Sequence, residues 1–157
     1  MNIILAADHA GFAHKESVKR FLQGKGLQVL DVGAHRLELD DDYPTYMAAA
    51  ALKVAEDPGG ETKAVIFGGS GQGEAIVANR FPGVRAVVWY GGGQITDQSG
   101  GDILSLSRQH NDANVLSIGA RFVSEDEAVK AVDLWLTTSF DGADRNVRRI
   151  AKIDSID

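Results

Sequence analysis

Between Gly68 and Glu74 the chain reads Gly-Gly-Ser-Gly-Gln-Gly-Glu, directly after the apolar run Ala64 to Phe67 and directly before a helical pattern over Ala75 to Arg80. Glycines let backbone amides close around an oxyanion, and the start of a helix adds its positive dipole end. Two familiar phosphate loops do not fit. Gly68 and Gly73 have the spacing of a nucleotide-phosphate loop, but Glu74 stands where such a loop has its lysine and Ala75 where it has its magnesium-binding hydroxyl. A carboxylate there repels a triphosphate. A dinucleotide fingerprint would need a glycine three positions after Gly71, where Glu74 stands. Two readings remain: a cradle for an oxyanion formed in a reaction, with Glu74 at its rim to take or give a proton, or a tight strand-to-helix turn with a first-turn glutamate.

Three other segments carry polar chemistry. Asp8-His9-Ala10-Gly11 follows the apolar run Ile3 to Ala7, and His110-Asn111-Asp112 precedes the run Asn114 to Ile118. Each also reads as a helix cap: Asp8 at a helix start, His110 and Asn111 at a helix end. Arg145, Arg148 and Arg149 fall on a final helical pattern, where the four-residue spacing of Arg145 and Arg149 puts them on one face. The arginine fork suits a phosphate, and a cluster of them in an acidic chain points to a local anionic ligand or to a solvated helix face. Arg121, after Ile118-Gly119-Ala120, is a further anion-binding candidate. Asp40-Asp41-Asp42 lacks the alternation and glycine of a calcium loop and reads as solvated loop, and His14 and His35 have no partner at metal spacing. No metal site is expected.

These residues need elements to hold them. Apolar runs at Ile3 to Ala7, Gln28 to Val32, Ala64 to Phe67, Ala86 to Trp89 and Asn114 to Ile118 alternate with helical patterns at Phe12 to Gln23, Tyr43 to Glu56, Gly73 to Asn79, Ile103 to His110 and Glu125 to Leu136. Ser124 to Glu127 reads as a capping box. Strand then helix, five times over, predicts an α/β fold: a five-stranded parallel sheet with helices on both faces. Ligands bind beyond the carboxyl ends of such strands, so the Asp8, glycine-loop and His110 segments are all expected at that rim. The 157 residues read as one domain. Zero cysteines removes disulfides, zinc-thiolate sites and a thiolate base, and a net charge of −6 argues against nucleic acid and anionic membranes as partners. With no membrane-length apolar run and no secretory signal at Met1 to Leu5, a cytoplasmic protein is expected.

Taken jointly, Asp8-His9-Ala10-Gly11, Asp42-Tyr43-Pro44, Gly68 through Glu74, Ala78-Asn79-Arg80, His110 through Val115 and Arg145 through Arg149 resemble the sugar-phosphate isomerases of the ribose-5-phosphate isomerase B family, which also includes galactose-6-phosphate isomerase subunits. The motifs fall in the family's order and cover nearly the whole chain. The resemblance implies a Rossmann-like αβα sandwich and a homodimer or tetramer with active sites shared between subunits. It further implies cofactor-free interconversion of phosphorylated aldoses and ketoses. Many members use a cysteine at the start of the glycine loop as base and others a glutamate at its end; with Gly68-Gly69 at one end and Glu74 at the other, this chain resembles the glutamate branch.

By that resemblance His110 opens the sugar ring with Asp8 orienting the hydroxyls, Glu74 takes the proton from C2, and Gly69, Ser70, Gly71 and Gly73 cradle the enediolate. Asn111 holds a sugar hydroxyl, Tyr43 walls the pocket, and His9, Arg121, Arg145 and Arg149 hold the phosphate. Arg145 and Arg149, on a C-terminal helix at about 142–154, serve the partner's site. Ribose 5-phosphate is the expected substrate, with a tetrose or hexose phosphate such as allose or galactose 6-phosphate, or a sugar-phosphate sensor without turnover, as alternatives. The segment Gly91 to Gly101 departs from the glutamate-branch pattern and reads as a lid or as a surface insertion.

Overall fold

The computed structural model describes residues 1–57, 59–92 and 101–156. Its elements run β1 (Asn2–Ala7), α1 (Phe12–Gly24), β2 (Val29–Asp31), α2 (Tyr43–Ala55), β3 (Thr62–Gly68), α3 (Gln72–Ala78), β4 (Ala86–Trp89), α4 (Ile103–Asn111), β5 (Val115–Gly119), α5 (Glu125–Thr137) and α6 (Asp144–Asp154). The strands form one sheet in the order β2-β1-β3-β5-β4, and every neighbouring pair is parallel. This is the expected α/β sandwich.

The strand sequences explain the layering. Side chains alternate between the two faces of a strand, and a strand buried on both faces reads as a continuous apolar run. In β1, Ile3, Leu5 and Ala7 pack with Val18 and Leu22 of α1, Leu104 of α4 and Trp135 of α5, while Ile4 and Ala6 pack with Met47, Ala50 and Val54 of α2 and Ala78 of α3. One layer therefore holds α1, α4 and α5, and the other α2 and α3. The α5 start is closed by the predicted capping box, with Ser124 Oγ accepting from the Glu127 amide.

Order reverses beside β1, which leads to β2 on one side while β3 lies on the other. That point opens a crevice at the carboxyl edge, walled by the β1–α1 and β3–α3 turns. The crossover helices run antiparallel to the strands, so each ends at the amino edge. For β5, a rise of ~3.3 Å per residue separates the two edges by ~13 Å.

Candidate active site

At the carboxyl edge the β3–α3 turn is built around Glu74. This residue lies in the first turn of α3 and is 5% exposed. Its carboxyl folds back over the end of β3: a methyl group added to Gly68 would sit 1.7 Å from Glu74 Oε1. The carboxylate thus occupies the space that any side chain at position 68 would need. A side chain at position 68 would have to displace the Glu74 carboxylate from this position. Gly71, the N-cap of α3, has φ +77, a left-handed conformation that glycine adopts without strain. Its carbonyl accepts from Ser117 Oγ at 2.7 Å, which ties the turn to β5.

Burial pushes the Glu74 carboxyl above its ordinary pKa, and the charge of Asp8 adds to that push. The amides of Glu74 itself and of Gly71, together with the Arg121 charge, act in the opposite direction. Asp8, 6% exposed, follows β1 and accepts the amides of Ala10 at 3.0 Å and Gly11 at 3.2 Å, so it closes the β1–α1 turn and lies near Glu74. Arg121 leaves β5 with its amide on the Gly69 carbonyl at 3.2 Å, and its guanidinium carbon lies 3.1 Å from where a Gly69 Cβ would be. The Tyr43 hydroxyl stands over Gly73, 2.7 Å from the corresponding point. Ser70 is exposed, and its hydroxyl oxygen accepts from the Gln72 amide at 3.3 Å. Asp8, Tyr43, Gly69, Ser70, Gly71, Gly73, Glu74 and Arg121 therefore share one crevice.

His9 belongs to the same edge and brings a residue that the sequence did not reveal. Its Nδ1 lies 2.7 Å from Asp41 Oδ1, and the same oxygen accepts the His9 amide at 3.2 Å. The expectation that all of Asp40-Asp41-Asp42 is solvated loop is corrected here, because the Asp41 side chain is only 4% exposed. Nothing in a run of three identical residues says which one turns inward. Asp8, His9 and Asp41 offer ligand atoms within 4.8 Å of one another. His9 Nδ1 and Asp41 Oδ1 are already spent on each other, however, and Asp8 Oδ1 on two amides, which is a hydrogen-bonded pair beside a capped turn.

His110 and Asn111 lie elsewhere, and the expectation of a single rim fails for them. They end α4, so the chain direction delivers them to the amino edge, where the Asn111 carbonyl accepts from Arg85 Nε at 3.0 Å just before β4 begins. The helix end is firmly built. Buried Arg108 donates to Asp112 Oδ1 at 2.7 Å and the Ala113 carbonyl at 2.6 Å while stacking 5.6 Å from the Trp135 ring. Arg85 grips Asp112 from the other side at 3.1 Å and reaches Asp154 of α6 at 3.6 Å.

Helix α6 lies on the same side. Buried Asn146 donates to both Asp141 oxygens at 3.1 Å and 2.9 Å, and the Asp141 amide donates to the Gln109 carbonyl at 3.2 Å. The Ala143 amide and the Asn146 side chain hold Asp141 below the usual carboxylate range, and His110 and Arg145 reinforce this, marking both as its neighbours. Arg145 and Arg149 are exposed. One chain thus carries two separate sets: Glu74, Asp8, His9, Tyr43 and Arg121 at one edge, and His110, Asn111 and the α6 arginines toward the other. The suggested lid falls largely on residues 93–100, outside those described.

Comparison with known proteins agrees with this fold and these motifs. A family model described as Ribose/Galactose Isomerase matches residues 3–153. Ribose-5-phosphate isomerase B of Mycobacterium tuberculosis (strain CDC 1551 / Oshkosh) is 38% identical over 151 residues, 96% of this chain and 86% of its own length. The Escherichia coli (strain K12) protein of the same name is 38% identical over 156 residues, 99% of this chain and 95% of its own. The crystal structure of ribose-5-phosphate isomerase B from Mycoplasma genitalium with bound ribulose-5-phosphate superposes with a TM-score of 0.85 at 33% identity, over 98% of this chain and 93% of that one. For the ribose 5-phosphate isomerase of Thermotoga maritima the TM-score is 0.80 at 38% identity, over 99% and 98% of the two chains. With the match spanning both edges of the sheet, the chain belongs to the Ribose/Galactose Isomerase family.

Proposed function

We propose that this protein is a cofactor-independent aldose-ketose isomerase that interconverts ribose 5-phosphate and ribulose 5-phosphate through an enediolate. The observation that carries the reading is the buried carboxylate of Glu74, held against Gly68 beside loop amides and raised above its ordinary pKa. A carboxylate so placed is a stronger base than one in water, as removal of a proton next to a carbonyl requires. Relatives named ribose-5-phosphate isomerase B, one with ribulose-5-phosphate bound, support the choice of sugar.

Glu74 takes the C2 proton of the open aldose and returns it at C1, while the proton of the C2 hydroxyl passes to O1, so that the carbonyl moves from C1 to C2. Between those steps negative charge sits on oxygen, where the amides of Gly71 and Gly73 and the Ser70 hydroxyl serve as donors. Asp8 holds sugar hydroxyls, Tyr43 closes one wall, and His9 and Arg121 meet the phosphate. A phosphorylated sugar is charged and does not cross a membrane unaided, so the cytoplasm is the fitting location. No helix among the described residues is long and apolar enough to cross a membrane.

Ring opening and the remaining phosphate contacts come from a second copy. His110 stands at the edge opposite Glu74 within one chain, so it meets the same sugar only if another subunit presents its amino edge to this carboxyl edge. A two-fold axis makes the exchange reciprocal and builds two complete sites. Asn111, Arg145 and Arg149 then travel with His110 as one contribution. The partner is therefore a second copy of this chain, in a homodimer or a tetramer of such pairs.

Turnover in heavy water tests the reaction. With ribose 5-phosphate the protein should yield ribulose 5-phosphate carrying deuterium at the transferred position, read by proton NMR. A sugar-phosphate sensor would bind and give neither product nor label, and that result would overturn the reading.

A further inference from the structure

The bond between His9 and Asp41 has no part in the reaction described above, yet it is costly to keep. Asp41 reaches inward from an otherwise exposed loop, Leu39 at 78% exposure and Asp40 and Asp42 both on the surface. Its carboxylate is 4% exposed, with Oδ1 serving both His9 donors. Oδ2 is buried and has no hydrogen-bond partner among the described residues. A buried carboxylate oxygen left unmatched lowers stability, so the residue is a poor choice if its purpose is to hold the loop down. Asparagine would satisfy the same backbone amide at less cost. Such departures from local economy are expected where a site needs a charge.

The geometry assigns that need to His9. With Nδ1 bound to Asp41 the ring can neither rotate nor flip, and Nε2 is the nitrogen left for a ligand. His9 keeps about a third of its side chain exposed, at 29%, beside the capped turn of Asp8. A histidine whose second nitrogen is fixed by a carboxylate has its proton arrangement and aim set by that neighbour. We infer that Asp41 is a positioning residue: by gripping Nδ1 it fixes His9 so that Nε2 faces the phosphoryl group of the substrate. This rests on the proposed role of His9 at the phosphate. Asp41 itself touches no substrate. Tyr46, one turn into α2, has its hydroxyl pKa raised by burial and then by the Asp41 charge.

A double-mutant cycle read without turnover tests the assignment. D41N keeps the size and shape of the side chain, and its melting temperature reports whether the fold is intact. Calorimetry with inorganic phosphate should show affinity falling ~10-fold in D41N, the scale of one charge-assisted hydrogen bond. In an H9N background the same D41N change should weaken phosphate by less than ~2-fold, the residual allowed between groups that act only through each other. In steady-state kinetics KM for ribose 5-phosphate should rise in D41N while kcat stays nearly constant. With phosphate bound, nitrogen-15 NMR of the His9 ring should show protons on both nitrogens, Nδ1 donating to Asp41 and Nε2 to the phosphate, and D41N should lose the hydrogen-bonded Nδ1 signature. Equal weakening by D41N in both backgrounds, or a lowered melting temperature with phosphate affinity and the ring signature unchanged, would overturn the proposal. If H9N itself leaves phosphate affinity unaltered, the phosphate role of His9 fails and the proposal falls with it; if H9N weakens phosphate but D41N does not, only Asp41 loses its part.

Discussion

The two edges of this sheet carry different sets of candidate residues, held in different ways. At the carboxyl edge the two candidate carboxylates are buried and pressed against backbone, Glu74 at 5% exposure against Gly68 and Asp8 at 6% against two amides, while exposed Arg121 lies along Gly69. At the amino edge the scaffold holds buried Arg108 and Asn146 and partly exposed Arg85 and Asp112, and the candidate groups lie outside it. Arg108, Asp112, Arg85 and Asn146 lock the ends of α4 and α6, while Asn111, Arg145 and Arg149 face solvent. The contrast follows from what each set has to do. A proton-abstracting base needs desolvation and fixed amides, which one chain can build into its own core. Arginines for a phosphate need only a firm platform until a ligand and a second subunit cover them, and burying them beforehand without a partner would be prohibitive.

The largest expected effect breaks the carboxyl edge. E74Q removes the base and should lower kcat by at least ~10², the lower range for a lost general base, while calorimetry shows sugar-phosphate affinity nearly intact. Near-normal turnover would take Glu74 out of the reaction. In the native protein the acid limb of the rate should lie above the ordinary glutamate value of ~4.3, because only the ionised carboxylate accepts the proton and its pKa is raised.

A second experiment tests whether the two edges are halves of one site. Inactive E74Q protein mixed with inactive R145A/R149A protein, under subunit exchange, should recover activity. Random pairing gives mixed dimers in half of cases with one whole site each, or roughly a quarter of native activity. E74Q with H110N should recover likewise, whereas H110N with R145A/R149A should not, since both defects sit on the same edge. Recovery in that last mixture would place His110 in its own subunit's site and refute the division drawn here.

The smallest effect is on stability. Folding raises the pKa of Glu74, so the folded state holds that proton more tightly than the unfolded chain does. The stabilisation this brings is fully present below the ordinary glutamate value and is lost as pH rises through the raised one. At neutral pH the buried carboxylate is a net cost. E74Q should therefore melt higher than the native protein at pH 7, by ~2–4 °C for each ~1 kcal/mol relieved, and the gain should vanish in thermal scans below pH ~4. An equal gain at both pH values would mean that charge burial is not its source. A gain confined to neutral pH would mean that the Glu74 charge opposes folding where it is proposed to serve catalysis.

Local pattern alone sufficed for much of this molecule. The five strands and six helices stand within about two residues of their apolar runs and helical periods, because a strand buried on both faces must be apolar throughout and an amphipathic helix must repeat its apolar stripe. Glu74 stood out as the candidate base for a related reason: the glycines around it and the absence of cysteine are properties of adjacent residues and of composition. What only the tertiary structure decided is relative placement. His110 lies next to a strand in sequence, yet parallel topology sends the end of α4 to the amino edge, so the apparent neighbour of Glu74 became the candidate for another subunit's site. Asp41 is one of three aspartates in a row, and its burial against His9 is set by a contact across 32 residues that no local pattern encodes. Gly68 likewise reads as a flexible turn until the structure shows the Glu74 carboxylate folded into the space a side chain there would take. Periodicity follows from short-range sterics and solvent exclusion, whereas charge, burial and partnership depend on which distant residue fills the space above.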